Sequence, residues 1–600
     1  MLDNPARPRY ISAPTTTLGS RKDSMICPCE DAPDPNRGTC LSLVLLSLLS
    51  TIALSACSVE PVGRSPVPRM ISARGDSAMV VSASPLATKV GVAVLRSGGN
   101  AVDAAVAVAF ALSVVYPTAG NIGGGGFMVL HVGGRSAALD FRETAPAAAS
   151  RDMYLDSLGD VTALSVTGHL SAGVPGTVAG LWEAHQRFGS RPWGDLVAPA
   201  ITLAGDGFVL DSAFAEDLAE EAERLGSFPS TAALFLSGGA PPGVGTSWRN
   251  PDLAATLSRI SERGKEGFYT GETADLLVAE MRRGRGLITI EDLRDYRAVW
   301  REPVEFGYRG RRVISMSPPS GGGLTLALMT GILEGFDLRS TGRLSPRTIH
   351  LFARAAQQAY ARRNMLLADP DFVQIPLQSF LSSDTVAALR AAMEDELLPS
   401  SPGPTGGNHT THFSVVDVWG GAVAVTTTLN NAFGSAVTVS GAGFLLNDEM
   451  DDFTTKAGAV NAMGLRQGDR NAIQPGKRML SSMTPTIVLD SAGSPMLVTG
   501  AAGGGRIITA VAQVIINAID FGLDLEAAMA GPRFHCQDFP DTLWLEAGRF
   551  PAAEIAALSA MGHRTAEKPG GFASVQSILR RDRRWYGVSE PRSFGHAEGY

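Results

Sequence analysis

Cysteine is nearly absent from the body of this 600-residue chain. Four of the five, Cys27, Cys29, Cys40 and Cys57, fall in the first tenth, and only Cys536 lies beyond. The body therefore has no internal disulfide pair, and Cys27 and Cys29 have no second cluster at metal-ligand spacing. Positive charge is also scarce. Charged residues make up 18% and the formal net charge is −8, which excludes a nucleic-acid binder working by phosphate neutralisation. The 67 glycines keep no fixed period, so the chain is not collagen-like. Several catalytic signatures are missing too. There is no Gly-x-Ser-x-Gly, none of the nine histidines opens a His-Glu-x-x-His, and the glycine run at 500–506 lacks the Lys and Ser/Thr of a phosphate loop. What is plentiful is apolar material, 44% of residues, enough for the core of a large enzyme-sized protein.

Residues 41–56, LSLVLLSLLSTIALSA, form an uncharged apolar run that Cys57 follows directly. The run falls short of the roughly 20 residues of a comfortable membrane span and suits a signal segment. Leu54-Ser55-Ala56-Cys57 resembles a bacterial lipobox, in which the Cys is acylated and the peptide before it is removed. This predicts a leader over 1–56 and lipid attachment at Cys57. It also predicts an exported protein, periplasmic or at the cell surface, held to the membrane. A plain cleaved signal and an uncleaved anchor are the alternatives. Residues 57–75 are rich in Pro and Arg and read as a tether.

Beyond Val80 the pattern becomes ordered. Residues 86–96 have helical spacing. Asn100 offers an N-cap to a segment from Ala104 to Val115 that is apolar on every side and so predicts a buried helix. The glycines at 120–126 suit close backbone approach rather than nucleotide binding. Residues 127–132 and 135–141, joined by Gly133-Gly134, read as a hairpin that delivers Arg142. Arg142 suits bidentate capture of a carboxylate, and a surface ion pair with Glu143 explains it equally well. Helical periodicity at 349–361 and 384–393, between Gly/Pro turns such as 317–323, predicts a helix-rich middle. His535-Cys536 reads as core.

A Pro/Gly/Ser stretch at 399–407 runs into two β-branched segments, 410–417 and 422–430, around Trp419-Gly420-Gly421. A turn centred on Trp419 sets Thr410 opposite Thr428. A Thr hydroxyl is a weak nucleophile without an adjacent base. Cleavage between His409 and Thr410 would supply one, an α-amino group with a pKa of about 7.7–8.0. Strands also favour Thr for packing alone, and the pattern by itself leaves both readings open.

Several motifs together carry a resemblance: DFRE at 140–143, TTHFSVVD at 410–417, NDEMDDF at 447–453, KRMLSSMTPT at 477–486 and GAAGGGRIIT at 500–509. PRF at 532–534 and the EPRS…GY ending agree with them. From about Val80 to Tyr600 the chain resembles the γ-glutamyltransferases (γ-glutamyltranspeptidases, glutathione hydrolases) of the N-terminal nucleophile hydrolase superfamily. The resemblance implies an α/β (α+β) fold, a four-layer αββα sandwich. It would be built jointly by a large chain, 76–409, and a small chain, 410–600, of a self-cleaved precursor that stay together as a heterodimer. It implies hydrolysis and transfer of γ-glutamyl groups from glutathione and related compounds, with water or an amino acid or peptide as acceptor. No metal or other cofactor is implied.

Residue by residue, it makes Thr410 the agent of cleavage and the nucleophile, assisted by Thr428. Arg142, Ser481 and Ser482 would hold the substrate's α-carboxylate, and Asn430, Glu449 and Asp452 its α-amino group. Backbone N–H groups of Gly503 and Gly504 would form the oxyanion hole. Met463 stands where several members place an aromatic residue in a lid. The rivals are a cephalosporin (glutaryl) acylase of the same fold and an inactive surface lipoprotein.

Overall fold

The hairpin headed by Thr410 forms with the register its sequence predicts, and a sheet is built around it. Strands Thr410–Val416 and Ala422–Thr428 pair antiparallel with Thr410 opposite Thr428. The computed structural model describes residues 71–394, 410–570 and 572–600. The leader, Cys57, His409 and the loop at 399–407 lie outside the described residues.

Seven strands make the first sheet, in the order His596–Gly599, Met79–Ser82, Thr410–Val416, Ala422–Thr428, Gly125–Val132, Arg135–Phe141 and Val299–Arg301. The second has the order Ile71–Gly75, Arg584–Ser589, Ser574–Arg581, Pro495–Thr499, Thr486–Leu489, Arg311–Ser315 and Val304–Tyr308. Neighbours in both run antiparallel. The chain is thus a mixed α/β fold on antiparallel sheets. The two sheets pack face to face, and Ser414 Oγ donates to Gln576 O across them at 2.9 Å.

Helices cover the outer face of each sheet. Pro85–Arg96 and Ala101–Val115 lie on the side of the first, Gly322–Leu333 and Arg506–Ile519 on the side of the second. Every residue of Ala101–Val115 is buried, as a helix apolar on all sides requires. Asn100 caps it through Val102 N–H and Asp103 N–H, in a capping box closed by Asp103.

Strand alternation sorts the hairpin between two cores. Phe413, Val415, Val423 and Val425 join the helices of the first sheet, whereas Val416, Ala422 and Ala424 join the space between the sheets. Thr410 shares the parity of Val416, so its hydroxyl faces the interior between the sheets. His412 does too. It is neutral there, burial having lowered its pKa to about 3, between Thr426 Oγ1 and Ser414 Oγ.

One boundary differs from expectation. The tether ends earlier than residue 75, because Ile71–Gly75 pairs with 585–589 as an edge strand. Its sequence, ISARG, carries too little apolar alternation to announce a strand; the partner, more than 500 positions on, supplies the pairing. The glycines at 120–126 do permit close approach. A Cβ on Gly123 would sit 2.0 Å from Leu445 O, and one on Gly124 2.2 Å from Thr428 O.

Candidate active site

Thr410, the first residue of its strand, opens on a narrow cavity of about 20 Å³ between the sheets. Its lining brings together Arg142, Thr410, Thr428, Asn430, Glu449, Asp452, Met463, Ser481, Ser482 and Gly504, residues spread over more than 350 positions. Of the described residues to which the resemblance gives a catalytic or binding role, only Gly503 is not in the lining.

Thr410 Oγ1 donates to Thr428 Oγ1 at 3.4 Å, a long contact, and Thr428 Oγ1 also accepts from Asn430 N–H at 2.8 Å. Asn430 adopts φ +81°, a left-handed conformation that asparagine tolerates better than most residues. The chain thereby turns sharply just after the strand and presents Asn430 to the cavity. Asp448 fixes this turn, since its carboxylate accepts from Asn431 N–H and Asn431 Nδ2. Burial pushes the Asp448 pKa up to about 8. Asn447 ties the same segment to the glycine run, its Nδ2 donating to Gly123 O, and also donates to Gly173 O.

Arg142 is fully buried, which corrects the surface ion pair entertained from sequence. Its guanidinium meets three carboxylates: Asp452 at 2.5 Å, Glu449 at 2.6 Å and Glu143 at 3.4 Å. Burial alone would lower its pKa, but these anions hold it raised and charged. The carboxyls shift the other way. Burial raises Glu143 to about 7 and Glu449 well above the ordinary range, against the pull of Arg142. Asp452 is raised as well, burial outweighing Arg142. Neither oxygen of Glu449 has a hydrogen-bond donor, because the 2.6 Å approach of Arg142 is off the bonding direction. The DFRE segment is anchored from behind, with Tyr296 Oη donating to Arg142 O and Asp140 paired with Arg301.

Across the cavity stand two neutral hydroxyls. Ser481 Oγ accepts from Met483 N–H at 3.2 Å, and Ser482 Oγ accepts from Arg363 Nη2 at 2.8 Å. The turn at 317–323, unremarkable in sequence, holds this segment: Gly321 N–H donates to Ser481 O and Ser320 Oγ to Met483 O. Gly503 and Gly504, with φ of +140° and +56°, lead into the 14-residue helix Arg506–Ile519, which has no side-chain N-cap. The positive end of that helix suits a developing oxyanion, and its first two N–H groups, of Arg506 and Ile507, hold the glycine turn in place by donating to Gly503 O and Gly504 O.

Met463 packs beside Gly504, where a Cβ would lie 2.9 Å from its Sδ. Its segment is pinned by Asn461, whose Oδ1 accepts from Met463 N–H and Leu465 N–H and whose Nδ2 donates to Asp452 at 2.9 Å. Sequence reasoning passed over Asn461 and Arg363. Asn461 has no signal of its own, and Arg363 shows only as an arginine just past an apolar helical run. His535 and Cys536 are both buried, as expected of core.

A family model described as gamma-glutamyltranspeptidase matches residues 87–600. The chain is 44% identical over 579 residues to a glutathione hydrolase proenzyme of Pseudomonas sp. (strain A14), covering 91% of this chain and 96% of that one. It is 45% identical over 531 residues to the glutathione hydrolase proenzyme of Escherichia coli (strain K12), covering 87% and 91%. Its fold is similar to the crystal structure of cephalosporin acylase from Bacillus halodurans, with a TM-score of 0.79 and 27% identity, over 90% of this chain and 99% of that one.

Proposed function

The chain belongs to the gamma-glutamyltranspeptidase family, and from that premise we propose that it hydrolyses and transfers γ-glutamyl groups of glutathione and related compounds, with Thr410 as nucleophile. One observation carries the reading. Beside Thr410, the cavity sets two buried carboxylates, Glu449 and Asp452, against Arg142 and two serine hydroxyls. That pattern reads a zwitterion: the ammonium takes the carboxylates and the α-carboxylate takes the arginine and the serines. Within the protein Arg142 pairs with these acids. A bound α-amino acid replaces that internal pairing without leaving a buried charge alone.

Self-cleavage before Thr410 frees an α-amino group that accepts the Oγ1 proton. Oγ1 then attacks the γ-carbonyl, and the oxyanion falls to the N–H groups of Gly503 and Gly504. The amine leaves with the proton, giving a γ-glutamyl ester on Thr410. Water or the amine of an amino acid then takes the acyl group. Thr428 and Asn430 orient the nucleophile and the bound ammonium. The two facing sheets with helices outside each support an αββα sandwich of the N-terminal nucleophile type, shared by two chains, 76–409 and 410–600. The word proenzyme in the names of the relatives supports the same processing.

The acylase likeness favours a second reading, a glutaryl amide substrate. Glutaryl has no α-amino group, and Glu449 and Asp452 would then have no substrate ammonium to meet. The test is a denaturing gel with mass spectrometry, alongside rates on γ-glutamyl- and glutaryl-p-nitroanilide. Two chains, the smaller beginning at Thr410, and a preference for the γ-glutamyl anilide are expected. Thr410→Ala is expected to give one uncut, inactive chain. An active wild-type protein that is uncut would overturn the mechanism, and a glutaryl preference would overturn the substrate.

A further inference from the structure

Arg363 lies near the end of the helix Pro346–Leu366, behind the cavity rather than in its lining, and is fully buried. A buried guanidinium normally rests on a carboxylate, because an unpaired charge away from water is costly. Among the described residues no carboxylate comes within ion-pairing distance of this one; Asp452 and Asp538 reach it only through their fields. Its donors go to neutral atoms instead, Nη1 to Asn364 Oδ1 at 2.6 Å and Nη2 to Ser482 Oγ at 2.8 Å, and Nε has no acceptor. Gly321 lets the chain pass this close: a Cβ there would meet Arg363 Nε at 2.8 Å.

A guanidinium only donates. Ser482 Oγ must therefore accept from Arg363, and its own proton turns away from the arginine. Ser482 lines the cavity, so the free proton is available there. Ser481 is set in the same sense by Met483 N–H. Both hydroxyls are thus prepared as donors before any ligand arrives. Charge adds to direction. Arg142 is already held by three carboxylates, whereas Arg363 is a positive charge bound in no ion pair, directly behind Ser482.

We propose that Arg363 is a positioning residue for γ-glutamyl substrates: it fixes Ser482 as a hydrogen-bond donor toward the cavity and places a positive charge behind it, so that this wall selects the substrate's α-carboxylate. The proposal rests on the γ-glutamyl reading above. It predicts weakening of ligands that carry that carboxylate and not of ligands that lack it, a split that a merely structural role would not give. L-Glutamate carries both α groups; 4-aminobutanoate keeps the ammonium and lacks the α-carboxylate.

The experiment uses the processed enzyme and the variants Arg363→Met, Ser482→Ala and the double variant. It reads KM for γ-glutamyl-p-nitroanilide and the competitive inhibition constants of the two ligands. Arg363→Met is expected to raise KM and the L-glutamate constant about tenfold or more. The 4-aminobutanoate constant is expected to stay the same or fall, since removing a cation does not weaken an ammonium ligand. In the Ser482→Ala background the same change is expected to add less than about twofold. Equal weakening of both ligands, or full multiplication of the two single effects, would overturn the proposal. Should Arg363→Met not accumulate as processed enzyme, Arg363→Lys is expected to show the same split at smaller size, and unchanged constants for both ligands would overturn it. A wild type inactive on γ-glutamyl-p-nitroanilide would sink the substrate reading itself; an active wild type without the split sinks only the role of Arg363.

Discussion

The two walls of the cavity solve one problem by opposite means. On one side three carboxylates crowd a single arginine, all buried, and burial raises the pKa values of Glu143, Glu449 and Asp452 against the pull of Arg142. On the other side two neutral hydroxyls are oriented by fixed donors, one of them a buried cation. The acidic wall gains strong charge-assisted contacts and becomes sensitive to pH. The hydroxyl wall gives up strength for a direction that does not titrate. Their difference implies that mutation and pH act mainly through the acidic side.

The largest effect is expected from Arg142→Ala. Sequence alone suggests that this change touches KM far more than folding. The structure alters the expectation, because the change strands Glu143, Glu449 and Asp452 together in the interior. Breaking a buried pair costs about 3–5 kcal/mol, so denaturant unfolding of Arg142→Ala should show a loss of that order along with lost activity. An unchanged unfolding midpoint would mean that the acids do not depend on Arg142, and the contrast between the walls would fall.

Next come matched single changes, one on each wall. On the proposed γ-glutamyl reading, Asp452→Asn removes a charge-assisted contact to the substrate ammonium worth about 1.5–3 kcal/mol, or roughly ten- to 150-fold in KM. Ser481→Ala removes one hydroxyl donor while its neighbour remains, and about 0.5–1.5 kcal/mol is expected, up to roughly tenfold. Steady-state kinetics on γ-glutamyl-p-nitroanilide ranks the two. A larger effect from Ser481→Ala would reverse the reading of which wall dominates.

The pH dependence is smaller and has a fixed sign. A carboxyl whose pKa is raised holds its proton to higher pH, and a protonated carboxyl has no charge to offer an ammonium. Burial raises Glu449 and Asp452, so L-glutamate should bind less tightly as pH falls and these carboxyls take up their protons. An inhibition constant reads this without the titration of the Thr410 amine on the chemical step. Glu449→Gln, which is neutral throughout, should bind more weakly overall and flatten the profile. A profile equally steep in Glu449→Gln would assign the titration to another group.

The parts of this site legible in sequence are those set by local rules. The pairing of Thr410 with Thr428 follows from period-two alternation and one Gly-containing turn, and the start of Ala101–Val115 follows from Asn100 and Asp103. The roles of Glu449, Asp452, Ser481 and Ser482 came from resemblance, not from pattern. What no local rule could give is the long-range pairing. Arg142 meets Asp452 across 310 positions, and Arg363 meets Ser482 across 119. The strand Ile71–Gly75 was hidden for the same reason, its pairing lying wholly in 585–589.

The last prediction should leave both walls untouched and so marks where the comparison stops. We propose that the protein is exported and held to a membrane by acylation of Cys57, because a 16-residue apolar run, 41–56, ends in Leu-Ser-Ala with Cys57 next. A single acyl chain binds a bilayer only marginally, so stable retention needs more than one. Described structure begins at Ile71, and the site is built entirely from residues 142 onward. Cys57→Ser should therefore release the protein from the membrane fraction or block its processing. In a leaderless form it should leave KM, the cleavage before Thr410 and the unfolding midpoint unchanged. Fractionation with mass spectrometry of the N-terminus reads the first part, and kinetics the second. Native protein found freely soluble, with an unmodified N-terminus beyond residue 57, would make 41–56 an ordinary cleaved signal and leave the chemistry at Thr410 as it stands.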